Sequence, residues 1–112
     1  MSPSRRSPNF QALPVEVGLG LRLVGELDLA TVEELERMLD TLPRSGERVT
    51  IDLADLSFMD ASGIHALERY AGALNGSAPL VLANVPAHIH RLFVLTGADQ
   101  NAVIELRGDE RG

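Results

Sequence analysis

The sequence predicts an α/β fold: a mostly parallel central sheet covered by helices, in the order β-β-α-β-α-β-α-β. Three observations predict it. Apolar runs of strand length recur from residue 10 to residue 106. Between them lie segments whose apolar residues return with a helical period. Gly, Pro, Asp, Ser and Thr punctuate the boundaries, as turns and caps require. Strands that alternate with helices imply parallel crossovers, right-handed by the usual rule.

The elements follow in order. Residues 1–9, MSPSRRSPN, have no periodicity and are expected to be a disordered tail. Residues 10–17 read as a strand with Leu13, Val15 and Val17 alternating. Gly18 and Gly20 bracket a tight connection, so a hairpin to residues 21–27 is expected. There Leu21, Leu23 and Leu27 share a face, with Gly25 between them. The next stretch, DLATVEELERMLDTLP, turns helical, with Val32, Leu35, Met38, Leu39 and Leu42 on one stripe. Thr31 and Glu34 have capping-box spacing, and Pro43 and Gly46 are expected to end the helix.

RVTIDLADLSFMD is the next strand: Val49, Ile51 and Leu53 alternate with Thr50 and Asp52, and Leu56 and Phe58 follow a short break. A second helix spans about residues 62–74, with Ile64, Leu67, Ala71 and Leu74 as its stripe. PLVLAN is continuously apolar, as expected of a strand covered on both faces. Pro86 suits the first turn of a third helix, lined by Ile89, Leu92 and Phe93, and Gly97 suits its end. AVIEL is a last short strand. The domain is expected over residues 10–107, with residues 108–112 frayed.

Composition bounds the function. The chain has 112 residues, enough for one domain. Apolar residues make up 45% of it, which is globular rather than disordered. The formal net charge is −6, against the basic face that nucleic-acid binding needs. There are no cysteines, hence neither disulfides nor a cysteine metal site. No apolar run approaches the roughly 18 residues of a membrane span, and no apolar segment follows Arg5 and Arg6 to make a secretory signal. A cytoplasmic protein that does not insert into membranes is expected.

Catalytic signatures are weak. His65, His88 and His90 are the only histidines, and the last two are two residues apart, on different sides of a helix. No metal site is expected. Ser62 lacks the Gly-x-Ser-x-Gly elbow of a hydrolase nucleophile and has no marked base. Gly63 stands alone, without a Walker lysine or a Gly-x-Gly-x-x-Gly loop. The sequence therefore names no catalytic residue and no cofactor, and an enzyme is not expected.

What remains is FMDASGIHAL, where a strand ends and a helix begins. Asp60, Ala61, Ser62 and Gly63 suit a helix N-cap, with small residues that let the turn close. In open sheets of this class, function gathers beyond the carboxyl ends of the strands. Glu26 and Asp28 lie at a second such end.

Three stretches together resemble the STAS domain, and within it the bacterial anti-sigma factor antagonists: LVGELDLATVEEL, VTIDLADLSFMDASGIHAL and RLFVLTGADQ. The resemblance runs from about residue 15 to residue 106 and implies a single STAS-like domain. It also implies a role. Such antagonists bind a GHKL-type serine kinase that otherwise holds a sigma factor inactive, and so release the sigma factor in transcription regulation. Phosphorylation of a serine in an Asp-Ser-Ser/Thr-Gly turn ends the capture. The chain departs from that pattern at Ala61, the usual acceptor position, which leaves Ser62 as the candidate phospho-acceptor. Either Ser62 has taken over, or the protein is not switched this way. The resemblance places partner binding at Asp60, Ala61, Ser62 and Gly63, bordered by Glu26 and Asp28. The expected state is a monomer or weak dimer. The competing reading is a non-phosphorylated STAS scaffold module in a stressosome-like or lipid-transport assembly.

Overall fold

Five strands and three helices alternate as the periodicity requires. The structure, a computed structural model, describes residues 9–43, 46–74 and 78–108. The elements are β1 (Phe10–Pro14), β2 (Leu19–Leu27), α1 (Val32–Leu39), β3 (Val49–Met59), α2 (Ala61–Gly72), β4 (Leu80–Val85), α3 (Ala87–Thr96), a 3-10 turn over Ala98–Gln100, and β5 (Ile104–Gly108). Residues 1–8 and 109–112, most of both expected tails, lie outside the described residues. Asn9 and Gly108 belong to the sheet region: the Asn9 carbonyl accepts the Glu26 N–H at 2.7 Å, and Gly108 pairs with Val85.

The strands lie in the order β1-β2-β3-β4-β5. β1 and β2 form the expected antiparallel hairpin, and the other pairs are parallel. Each crossover steps one strand in the same direction, so right-handed connections set all three helices on one face. Leu21, Leu23, Ile51, Leu53, Leu80 and Leu82 join the helical residues Leu35, Leu39, Ile64, Leu67, Ile89 and Phe93 in one core. Val81, on the opposite face, is buried but stands outside that cluster, and Ala83 and Asn84 beside it are half-buried. Burial on both faces, expected of β4 from its continuous run, is thus only partial.

Three local expectations fail for physical reasons. In β1 the inward face is Phe10 and Ala12, not Leu13, Val15 and Val17; the strand stops at Pro14 and Val17 is exposed in the turn. In β3 the inward residues are Val49, Ile51, Leu53, Leu56 and Met59, and Phe58 faces out. The ladder with β2 explains this. Arg22 pairs with Asp52 but Val24 with Asp55, and Gly25 pairs with Leu56 but Glu26 with Phe58. Each time β3 supplies one residue more than β2, and each extra residue flips the alternation. There is no break: β3 is one strand of 11 residues. Helix α1, finally, ends at Leu39, before Pro43. The Thr41 hydroxyl caps it by donating to the Met38 carbonyl at 2.6 Å.

Candidate functional site

The carboxyl ends of β2 and β3 are adjacent, because Leu27 pairs with Met59. Two loops leave from there, one into α1 and one into α2. The Asp60 N–H donates back to the Leu27 carbonyl at 3.1 Å and ties the second loop to the first strand.

Asp60 is the N-cap of α2. Its backbone is extended, and its Oδ1 accepts the Ser62 N–H at 2.9 Å. The same oxygen accepts the Ser62 hydroxyl in a short hydrogen bond. The Asp60 carbonyl takes the N–H groups of Gly63 and Ile64. Partial burial pushes the Asp60 carboxyl up. Hydrogen bonds from the Ser62 hydroxyl and from the N–H groups of Ser62, Gly63 and Leu29 outweigh that and hold it below the usual carboxylate range. Asp60 is therefore ionised at neutral pH.

The four turn residues divide by exposure. Ala61 is exposed, Asp60 and Ser62 are half-buried, and Gly63 is buried. A Cβ on Gly63 would stand 2.8 Å from the Leu27 Cδ2 and 2.9 Å from the Met59 Cγ, both atoms of buried side chains. Glycine is needed here so that the first turn of α2 can lie directly on the ends of β2 and β3. Gly63, which the resemblance places among the partner-binding residues, lies buried beneath the turn rather than at its surface.

The β2–α1 loop is built differently. Glu26 is exposed and Asp28 half-buried. The expected capping box between Thr31 and Glu34 does not form: Thr31 makes no side-chain cap to α1. Its hydroxyl is turned inward. It donates to the Glu26 carbonyl at 2.9 Å and accepts the Asp28 N–H at 3.0 Å. Thr31 is 4% exposed and, with Tyr70, one of the buried residues that carry a polar side-chain group. Asp28 braces the turn before the helix instead: its Oδ1 accepts the N–H groups of Ala30 at 3.0 Å and Thr31 at 3.2 Å. All six predicted site residues thus fall at one corner, with Leu29 and Phe58 beside them, exposed and not anticipated.

The Ser62 hydroxyl is committed to Asp60, and His65, one turn on, is exposed. His88 hydrogen-bonds the Ser57 carbonyl at 3.0 Å. Among the described residues no three of His, Cys, Asp and Glu gather so as to hold a metal, and no helix is long and apolar enough to cross a membrane.

A two-layer α/β domain with a capped helix start at the carboxyl end of its sheet is the architecture these residues define. The family described as Mlab, STAS domain matches residues 15–108, and the chain belongs to the STAS domain family. Among curated relatives, an anti-sigma-B factor antagonist of Staphylococcus aureus (strain NCTC 8325 / PS 47) is 35% identical over 79 residues, covering 69% of this chain and 73% of the relative. The protein of the same description in Staphylococcus epidermidis is 37% identical over the same lengths. The solved structure of the anti-sigma factor antagonist SpoIIAA in its unphosphorylated form superposes with a TM-score of 0.55, at 20% identity, over 91% of this chain and 90% of that one. That likeness supports the fold.

Proposed function

We propose that the protein is an anti-sigma factor antagonist: it binds a GHKL-type anti-sigma serine kinase through the corner formed by residues 60–63 and the β2–α1 loop, and so releases a sigma factor. One observation carries the reading. The start of α2 is small, capped by an ionised Asp60 and pinned to the neighbouring loop, so two segments form one rigid surface at the carboxyl end of the sheet. Relatives of comparable length are named as antagonists of this class. No step of this function requires catalysis by the protein itself.

Phosphorylation, if it occurs in this turn, falls on Ser62, the only hydroxyl in residues 60–63. A phosphate carries about −1.5 to −2 charges. On Ser62 it would replace the donor to Asp60 with a dianion and open the cap, so the modification acts on the docking surface directly. Ala61 and the Mlab description of the matched family favour a second reading, a non-phosphorylated STAS scaffold in a stressosome-like or lipid-transport assembly.

The test is affinity capture from lysate with ATP present and absent, followed by intact-mass measurement of the bait. A GHKL-type kinase recovered with the bait supports the antagonist. A phosphate on the bait after ATP supports the switch. Recovery of transporter components with unmodified bait would replace the antagonist reading with the scaffold.

A further inference from the structure

The sheet has two edges, and they are not alike. The β1 edge ends in Pro14, which has no N–H to offer a further strand. The β5 edge, Ile104–Gly108, contains no proline. Its pairing with β4 fixes which backbone groups are left over. The Leu80 N–H donates to the Val103 carbonyl at 2.9 Å, so Val103 turns its backbone groups towards β4. Backbone direction alternates along a strand. Glu105 and Arg107 therefore also turn to β4, and Ile104, Leu106 and Gly108 turn outward. The Ile104 N–H is taken by the Asn101 carbonyl at 3.1 Å. Among the described residues no turn, loop or side chain hydrogen-bonds Leu106 or Gly108 on the outer side.

The side chains alternate as well. Ile104 lies in the core and Leu106 packs against it, so Glu105 and Arg107 stand on the face of the sheet away from the helices. There Arg107 Nε donates to Glu105 Oε2 at 2.6 Å, in an exposed ion pair. An open edge is a template for another strand, and its side chains decide which registers are allowed.

We infer that β5 is a self-pairing edge: two copies of the chain associate about a two-fold axis at Leu106, joining their sheets antiparallel. The register follows from charge and hydrogen-bond direction together. An axis at Glu105 or at Arg107 would set a charge directly opposite its own equivalent, which is destabilising. An axis at Leu106 sets Glu105 opposite Arg107 of the second copy, and Arg107 opposite its Glu105. The same axis lets the two outward-facing Leu106 residues exchange N–H and carbonyl bonds. Glu105 and Arg107 then fall at the non-hydrogen-bonded positions, where opposed side chains come closest. The ion pair within each strand becomes half of a ring of alternating charges. The interface is isologous and closes at two copies. With one strand of 5 residues from each copy it is small, and the dimer is weak.

Sedimentation equilibrium of the full chain, from about 10 μM to about 1 mM, tests this, with dissociation expected on the order of 100 μM. Glu105→Arg and Arg107→Glu should each weaken self-association about tenfold, because each sets like charges opposite one another. Both variants should melt like wild type, since the ion pair they remove is exposed. An equimolar mixture of the two should associate as wild type does, because each supplies the charge that the other lacks. A wild type that stays monomeric throughout overturns the inference. So does a dimer indifferent to both substitutions, which would lie elsewhere on the molecule. Variants that weaken association alone and fail to restore it when mixed overturn the register at Leu106.

Discussion

The loops entering α1 and α2 start from paired residues of neighbouring strands, and both use an aspartate to hold the backbone that leads into a helix, yet they do so in opposite ways. In the β2–α1 loop the carboxylate of Asp28 stands three residues before the helix cap, and a buried hydroxyl, Thr31, locks the loop from inside. The loop can then carry an exposed leucine. In the β3–α2 loop the carboxylate sits at the cap itself, and a buried glycine lets the helix rest on the sheet. What remains outside is small: Ala61 and part of Ser62. One loop carries an exposed apolar residue and the other stays flat, and the Asp60 N–H ties the second to the strand end from which the first leaves, through the Leu27 carbonyl.

The largest expected effect lies under the flat loop. Gly63→Leu places a side chain where even a Cβ is too close to Leu27 and Met59, and should cost about 3 kcal/mol of stability, read by urea unfolding. A binding defect in that variant would therefore report on the fold before it reported on docking.

Next comes the lock of the protruding loop. Thr31→Val keeps the shape but strands the Glu26 carbonyl and the Asp28 N–H, at a cost of about 2 kcal/mol. Thr31→Ser should recover most of it. If Thr31→Val melted like wild type, the loop would not be locked from inside.

A smaller, pH-dependent effect is expected at the flat loop. Ser62→Asp sets a second carboxylate against Asp60, where the hydroxyl now donates. Two carboxylates this close raise one pKa above its unfolded value near 4. The stabilising shared proton is then fully present below that unfolded value and is lost as pH rises through the raised folded pKa. Chemical unfolding should show the variant close to wild type at acid pH and about 1–2 kcal/mol weaker at neutral pH. In the wild type the sign is reversed. The depressed Asp60 carboxyl contributes stability above its unfolded pKa, and that stability fades as pH falls through the lower folded value. Asp60→Asn should flatten that acid limb.

The smallest effect belongs away from both loops. Arg69 and Glu36 pair at 2.6 Å between α2 and α1, but both are substantially exposed. Arg69→Ala should change stability by less than about 0.5 kcal/mol and binding not at all.

Much of this arrangement was legible in the sequence. The stripes of α1 and α2, the hairpin and a helix cap within residues 60–63 followed from hydrophobic period and capping chemistry, because those signals are local; that Asp60 is the cap is shown by its extended backbone and its bond from the Ser62 N–H. The failures came where tertiary context set the outcome. Leu13, Val15 and Val17 alternate as cleanly as Phe10 and Ala12 do, and only pairing with β2 selects the face. Phe58 and Met59 exchanged places because the two extra residues of β3 exist only relative to β2. Thr31 has the spacing of a capping box, but the Glu26 carbonyl at the end of β2 competes for its hydroxyl. The exposure of Leu29 is hidden in the sequence because leucines read as core. The available signal was its place outside the helical stripe that begins at Val32.

The central claim is that the two loops form one docking surface, and hydrogen exchange of the protein alone and bound to its anti-sigma factor tests it most directly. The account predicts slowed exchange confined to residues 25–34 and 57–66, with both segments protected together. Protection confined to α3 and β5, with both loops exchanging as in the free protein, would contradict it.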